Sequence, residues 1–259
     1  MLLAIDMGNT HIEVGMLKGK DILFSDRLAT EVSKTSSEYA VLLHAILEIR
    51  KVNTADIEGA IISSVVPPLT MEIRDAVKSV TGVTPLIVGP SLKSGIRIRI
   101  EDPKSLGADL LVGAVAAHEI YGSPAIIIDM GTATTLCALD GAGRFLGGVI
   151  APGLRLSMEA LSSGTSQLPR VSLDAPNTCL GTNPVASMQS GAIFGATAML
   201  DGMIERMEAE MGESAAVIAT GGLAGRVTPF CRREIRYEPD LLLRGLAVLW
   251  EKNRRDRRS

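Results

Sequence analysis

The stretch Ile5-Asp6-Met7-Gly8-Asn9-Thr10 returns as Ile128-Asp129-Met130-Gly131-Thr132-Ala133-Thr134, and this echo decides the fold. An apolar run precedes each copy, Leu2-Leu3-Ala4 the first and Ala125-Ile126-Ile127 the second, and another strand-like segment follows each. Such runs read as buried strands. A buried strand that ends in a carboxylate and turns on glycine suits phosphate chemistry. The carboxylate can hold a metal or its water, and glycine lets backbone N–H groups approach an anion closely. Side chains of Asn9, Thr10, Thr132 and Thr134 can add hydrogen bonds. One such loop could be an ordinary tight turn; two, one in each half, point to internal duplication.

The segments around the loops repeat as well. Residues 11–17 alternate, with Ile12, Val14 and Met16 on one side and Glu13 on the other. Lys18-Gly19-Lys20-Asp21 then makes a hairpin turn into a third strand over 22–29. The second half repeats this plan with strands over 125–129, 135–140 and 144–150, turning at Gly141-Ala142-Gly143. Thr35-Ser36-Ser37-Glu38 is a capping box that opens a helix to about residue 51, on which His44 reads as a surface or satisfied side chain. A strand over 59–66 stops at Pro67-Pro68, a helix follows over 69–80, and a short strand over 85–88. Ile96, Ile98 and Ile100 alternate with Arg97, Arg99 and Glu101, as in an edge strand or an extended ligand wall. Further helices are expected over 106–121, 154–161, 187–211 and 240–253, with a strand over 215–220 that ends in Gly221-Gly222. This alternation of strands and helices indicates an α/β protein of two halves, residues 1–120 and 121–259.

Composition narrows the function classes. With 259 residues of which 46% are hydrophobic, the chain can build a sizeable core, but only 3% aromatics means that core is aliphatic. A net charge of −3 gives no global case for nucleic-acid binding. No apolar run reaches the roughly 18 residues a membrane span needs, and the chain opens on a strand-like run without a signal-peptide pattern, so a cytoplasmic protein is expected. Cys137, Cys179 and Cys231 lie far apart and form no metal-type pair. They read as reduced, mostly buried thiols. The tail Arg254-Arg255-Asp256-Arg257-Arg258 reads as a solvated helix end and not a nucleic-acid patch. Small residues Ser190, Gly191, Ala192, Gly195, Ala196 and Ala198 on the long helix permit close packing, and a homodimer is expected there.

Two meander-and-helix halves, each with an Asp-Met-Gly loop, resemble the actin/hexokinase/Hsp70 superfamily, whose ribonuclease H-like halves flank a nucleotide cleft. The resemblance implies that the two loops face each other across that cleft and that Ala219-Thr220-Gly221-Gly222 lies beside adenosine. A closer similarity covers nearly the whole chain, to the type III pantothenate kinase family of coenzyme A biosynthesis. It is carried by the two loops and by Ser64-Val65-Val66-Pro67-Pro68, Gly107-Ala108-Asp109, Gly147-Gly148-Val149-Ile150-Ala151-Pro152-Gly153, Leu168-Pro169-Arg170-Val171 and Ser187-Met188-Gln189-Ser190-Gly191, in the family's order. The resemblance implies an ATP site of Asp6, Met7, Gly8, Asn9, Thr10, His11, Ile12, Glu13 and Thr132, with Asp6 near the γ-phosphate and Mg²⁺. It implies a monovalent cation, K⁺ or NH₄⁺, at Asp129, and Asp109 as the base that takes the substrate hydroxyl's proton. A carboxylate at a helix start is favoured as an anion by the N-terminal N–H groups, so Asp109 is expected to stay ionised.

The chain departs from the family pattern in the acceptor pocket, which the resemblance assigns to Gly107, Ala108, Asp109, Leu110, Ile100 and Pro184. The family has Tyr at Ile100, Arg at Leu110 and Thr at Pro184. Arg→Leu removes a bidentate carboxylate partner, and the other two changes each remove a hydroxyl. With the nucleotide loops intact, the expected activity is an ATP-dependent small-molecule kinase acting on pantothenate. The alternatives are a divergent paralogue with another alcohol acceptor and a nucleotide-binding pseudokinase that acts as a regulator.

Overall fold

In the computed structural model of the protein, residues 1–254 are described. In chain order the elements are β1 (Leu2–Met7), β2 (His11–Lys18), β3 (Asp21–Ala29), α1 (Ser36–Ile49), β4 (Gly59–Ser64), α2 (Pro67–Thr81), β5 (Leu86–Ile87), β6 (Arg97–Ile98) and α3 (Ala108–Tyr121). They continue as β7 (Ala125–Met130), β8 (Ala133–Leu139), β9 (Arg144–Pro152), α4 (Leu154–Ser163), α5 (Pro184–Met211), β10 (Ala216–Thr220), α6 (Ala224–Val227), β11 (Arg236–Tyr237) and α7 (Leu241–Asn253).

The chain packs as two compact units, neither of them one continuous stretch. The first comprises residues 1–95, 101–119 and the C-terminal segment from Leu241; the second comprises 96–100 and 120–240. One of the handovers between the units falls at 119/120. The segment 96–100 and helix α7 each lie with the unit that is not their sequence neighbour.

The first unit is built on a five-stranded sheet of order β3-β2-β1-β4-β5. β1, β2 and β3 form an antiparallel meander, and β4 and β5 extend it in parallel with β1. One face carries α1 and α2: Tyr39, Leu43, Ile73 and Val77 pack on Leu3, Ile5, Met7 and Ile62. On the other face, Leu243 of α7 lies on Gly15 and Trp250 on Gly59, and Gly245 of α7 sits against Val112 of α3. Both faces are therefore covered, which explains why β1 is a continuous apolar run and not an alternating one. The outer strand β3 keeps an exposed side and reads as mixed. The predicted capping box forms: Thr35 Oγ1 accepts from the Glu38 N–H, and Glu38 Oε2 accepts from the Thr35 N–H at 2.9 Å. Pro67-Pro68 ends β4 and supplies the first turn of α2, where a missing N–H costs nothing.

The second unit repeats the plan. Its sheet has the order β11-β10-β7-β8-β9-β6, with β7, β8 and β9 as the antiparallel meander and β10 and β11 parallel to β7. Strand by strand, β7 stands where β1 stands and β10 where β4 stands. The added β6 pairs in parallel with β9 at the sheet edge, the edge position its alternation of Ile with Arg predicts. Helix α5 closes one face through Ile193, Leu200 and Ile204 against Ile126, Ile128 and Leu136. Asn183 caps α5 by accepting from the Ala186 N–H at 2.9 Å, and left-handed Gly212 ends it.

The expectation of mostly buried thiols needs correction: Cys137 is buried, Cys231 is half-buried and Cys179 is exposed. Cys179 lies on the irregular chain between α4 and α5, whose length leaves it outside the core. Of the basic tail, Arg254 pairs with Glu251 at 2.7 Å, and the rest lies outside the described residues. Among the described residues no helix is long and apolar enough to cross a membrane.

Candidate active site

The first loop is a tight turn from β1 into β2. The Gly8 N–H donates to His11 O at 3.0 Å, the Thr30 hydroxyl donates to Gly8 O at 2.7 Å, and the Thr30 N–H donates to Thr10 O at 3.0 Å. β3 thus pins the turn from its far side. Asn9, Thr10 and His11 are exposed and Gly8 is half-buried, so the turn presents backbone and polar side chains together. Met7 and Ile12 point into the core, and only their backbone can serve a ligand.

Asp6 ends the central strand half-buried. In register it has Glu13 of β2 on one flank and Ser63 of β4 on the other. Glu13 is engaged locally: the Ser25 hydroxyl donates to it at 2.7 Å, and Arg27 lies 3.8 Å away. Ser63 is fully buried, and its Oγ has no hydrogen-bond partner among the described residues.

Asp109 stands in the first turn of α3 in the same unit, half-buried. Its Oδ1 accepts the Leu110 N–H at 2.8 Å. Burial pushes its carboxyl above the usual aspartate value, and backbone N–H donation from Leu110 and from Asp109 itself only partly offsets this. Desolvation thus works against the helix-start N–H groups, which on their own would favour the anion. Gly107 makes room for the carboxylate: a Cβ there would come within 2.6 Å of Asp109 Oδ1. Leu110 is half-buried and contributes its N–H to that arrangement.

The second unit carries the second loop. The Gly131 N–H donates to Ala133 O at 3.0 Å, and the Gly153 N–H to Thr132 O at 3.1 Å. Gly131 and Thr132 are exposed. Thr134 turns inward, fully buried with Oγ1 unpartnered among the described residues, whereas Thr132 is exposed. Asp129, at the end of β7, lies in register between Thr135 of β8 and Thr220 of β10. Gly221 follows β10 at φ +91°, and a Cβ there would stand 2.5 Å from Asp129 Oδ1. Only glycine takes this backbone conformation at little cost and leaves the carboxylate its space.

Beyond Gly222 opens a cavity of about 920 Å³ within the second unit, walled by Met158, Leu168 and Leu223 and edged by Arg155, Arg170 and Arg226. Arg226 donates to Leu173 O at 2.9 Å and meets Asp174 at 3.2 Å, tying the irregular segment before α5 to the rim. Of these cavity residues, Leu168 and Arg170 belong to a motif quoted from the sequence, whereas no motif marks Arg226. Ile100 lies half-buried just past β6, where the Arg99 N–H donates to Phe145 O at 2.8 Å. Pro184 is exposed at the first position of α5. One side of α5 leaves Ser187, Gly191, Gly195 and Ala198 exposed.

Two units with matching meanders, each with an aspartate and a glycine turn at the end of its central strand, superpose on solved structures of the same fold. An activator of the 2-hydroxyisocaproyl-CoA dehydratase from Clostridium difficile, solved with bound ADPNP, superposes with a TM-score of 0.55 at 14% identity over 100% of this chain and 97% of that one. A ROK hexokinase from Thermus thermophilus gives 0.52 at 15% identity over 96% and 97%. At these identities the likeness is one of fold, that of duplicated actin-like halves. Sequence goes further. The family model for type III pantothenate kinase matches residues 2–206. The type III pantothenate kinase of Moorella thermoacetica is 42% identical over 253 residues, covering 98% of this chain and all of that one. That of Shouchella clausii is 45% identical over 255 residues with the same coverage. Identity at this level over 98% of the chain, together with the family match, establishes that the chain belongs to the type III pantothenate kinase family.

Proposed function

We propose that this protein transfers the γ-phosphoryl group of ATP to the hydroxyl of pantothenate, giving 4′-phosphopantothenate and ADP, the first step of coenzyme A biosynthesis. The observation that carries the reading is full-length membership of the family, on a fold that places a carboxylate and a glycine turn at the end of each central strand. Phosphoryl transfer needs positioning and charge neutralisation more than covalent help from the protein. The Asp6–Glu13 turn offers backbone N–H groups and the Asn9 and Thr10 side chains to the phosphates, and Thr132 adds its hydroxyl. The cavity beside Gly222, with apolar walls and arginine edges, suits the nucleoside portion.

Asp109 is the base. A carboxyl raised by burial is a better proton acceptor than an ordinary aspartate, and it stays oriented by the Leu110 N–H. It accepts the proton of the pantothenate hydroxyl as that oxygen bonds to the γ-phosphorus and the bond to the ADP oxygen breaks. Gly107, Ala108, Leu110, Ile100 and Pro184 are assigned to the acceptor side.

The residues also fit the implied ions. No group of three or more His, Cys, Asp or Glu that could hold a metal occurs among the described residues. Mg²⁺ needs none, since it binds through one or two carboxylates together with phosphates and water. Asp6 would hold it, beside the unmet buried hydroxyl of Ser63. When bound, the ion neutralises phosphate charge. Asp129, flanked by Thr135 and Thr220, offers the oxygen donors that suit K⁺ or NH₄⁺. The exposed small-residue side of α5 supports a homodimer, which light scattering would register at twice the 27.3 kDa chain mass. We place the protein in the cytoplasm.

The test is Asp109→Asn. It should lower phosphorylation of pantothenate by about 10²–10⁴-fold and leave ATP binding intact. Wild-type protein that consumes no ATP with pantothenate would refute the activity, and an Asp109→Asn variant of full activity would refute the role.

A further inference from the structure

Burial of a hydroxyl without a partner is unfavourable, and folded proteins contain few such groups. Ser63 is one of them. It lies on β4 in a strand otherwise made of glycine, alanine and isoleucine up to that point, 0% exposed, with Oγ unpartnered among the described residues. Its neighbour Ser64 has a plain structural use: Ser64 Oγ lies 2.8 Å from Thr70 Oγ1 and accepts the Val66 N–H at 3.1 Å, helping to start α2. Ser63 takes no part in that turn. It stands in parallel register with Asp6, so both side chains project from the same face of the sheet from adjacent strands.

The duplication supplies an independent second instance. In the other unit β10 runs parallel to β7, and Thr220 stands in register with Asp129. Thr220 is 2% exposed, and among the described residues its hydroxyl donates to Pro239 O at a long 3.4 Å. Each unit therefore sets a buried hydroxyl residue beside its strand-end aspartate, on the parallel neighbour, at the same topological place. On the opposite flank of Asp6, Glu13 is already occupied by Ser25 and Arg27.

From this we infer that Ser63 is a positioning residue for Asp6: its hydroxyl donates to the Asp6 carboxylate, directly or through a water in the cation's shell, when Mg²⁺ and ATP are bound. The inference rests on the reading of Asp6 as the Mg²⁺-holding carboxylate. A donor on one carboxylate oxygen leaves the other aimed at the cation, and such outer contacts typically change metal affinity or activity by about 10–100-fold when removed.

The experiment measures Mn²⁺ binding by electron paramagnetic resonance on the full chain with a non-hydrolysable ATP analogue, alongside thermal unfolding and kinetics. Ser63→Ala should weaken Mn²⁺ binding about tenfold and lower kcat, with KM for pantothenate unchanged. Its melting temperature should equal or exceed that of wild type, since no folded-state partner is lost. Ser63→Thr, the residue type the second unit carries at this place, should restore binding. Wild-type Mn²⁺ affinity in Ser63→Ala would overturn the inference. So would a weakened affinity that comes with a lowered melting temperature and is not restored by threonine, because the hydroxyl would then be structural. Asp6→Asn separates the two readings: if wild type shows no Mn²⁺ binding that Asp6→Asn abolishes, the role of Asp6 falls and this inference falls with it.

Discussion

Gly107→Ala puts a single methyl where the geometry leaves no room. Its Cβ would stand 2.6 Å from Asp109 Oδ1, whereas ordinary contact begins at 3.4 Å, so the carboxylate oxygen must retreat by about 0.8 Å. That oxygen accepts the Leu110 N–H at 2.8 Å, and the retreat takes this bond beyond hydrogen-bond range. The backbone itself tolerates alanine, and replacing glycine by alanine at a helix start costs under about 1 kcal/mol. The protein should therefore fold normally with a misplaced base. Misplacement of a reacting group by about 1 Å costs around 10²-fold in rate, so kcat should drop about 10–100-fold, or about 1.4–2.7 kcal/mol of barrier. The assay is steady-state phosphorylation of pantothenate, with ATP-analogue binding and thermal unfolding as controls. A double-mutant cycle sharpens it: in an Asp109→Ala background there is no carboxylate to displace, and Gly107→Ala should cost nothing more. Full kcat in Gly107→Ala, or the same cost in both backgrounds, would refute the reasoning.

The pH dependence follows from the raised carboxyl of Asp109. Its folded-state value lies above its unfolded one, so the folded protein binds the extra proton between the two. Stability should rise as pH falls through that window. Activity should fall over the same window as the base is protonated, giving kcat/KM an acidic limb above the ordinary aspartate range that Asp109→Asn removes. Leu110→Arg should tighten pantothenate binding about 10–150-fold, the worth of a charged hydrogen bond of about 1.5–3 kcal/mol, with ATP binding unchanged. An unaltered KM in that variant would show that the acceptor pocket needs no guanidinium there. Burial and the nearby Asp201 carboxylate push the Cys231 thiol up to about 11, so only about a thousandth of it is thiolate at pH 8. Iodoacetamide followed by mass spectrometry should label exposed Cys179 well before Cys231, and the reverse order would contradict the packing around Cys231.

The strands other than β11, the capped helices, the duplication and the two aspartate-glycine turns were legible in the sequence, because each rests on neighbours in the chain. An apolar run needs two covered faces, a Thr-x-x-Glu box satisfies its own N–H groups, and Pro67-Pro68 cannot extend a ladder. Ile12 illustrates the boundary. The family resemblance counts it in the ATP site, while the alternation with Glu13 already turns its side chain inward, where the structure finds it 0% exposed. What the tertiary structure alone decided are the relations between residues far apart in the chain. Helix α7 returns to cover the sheet that opens the chain, and β6 joins the second unit's edge. Ser63 stands beside Asp6, Thr220 beside Asp129, and Gly221 against the Asp129 carboxylate. The protonation bias of Asp109 belongs to this class too. A helix start favours the anion and is visible in sequence, but desolvation depends on what packs around the carboxyl, and here it is the larger effect. Local periodicity records which face of an element is buried, while the identity of the group across the sheet leaves no periodic trace.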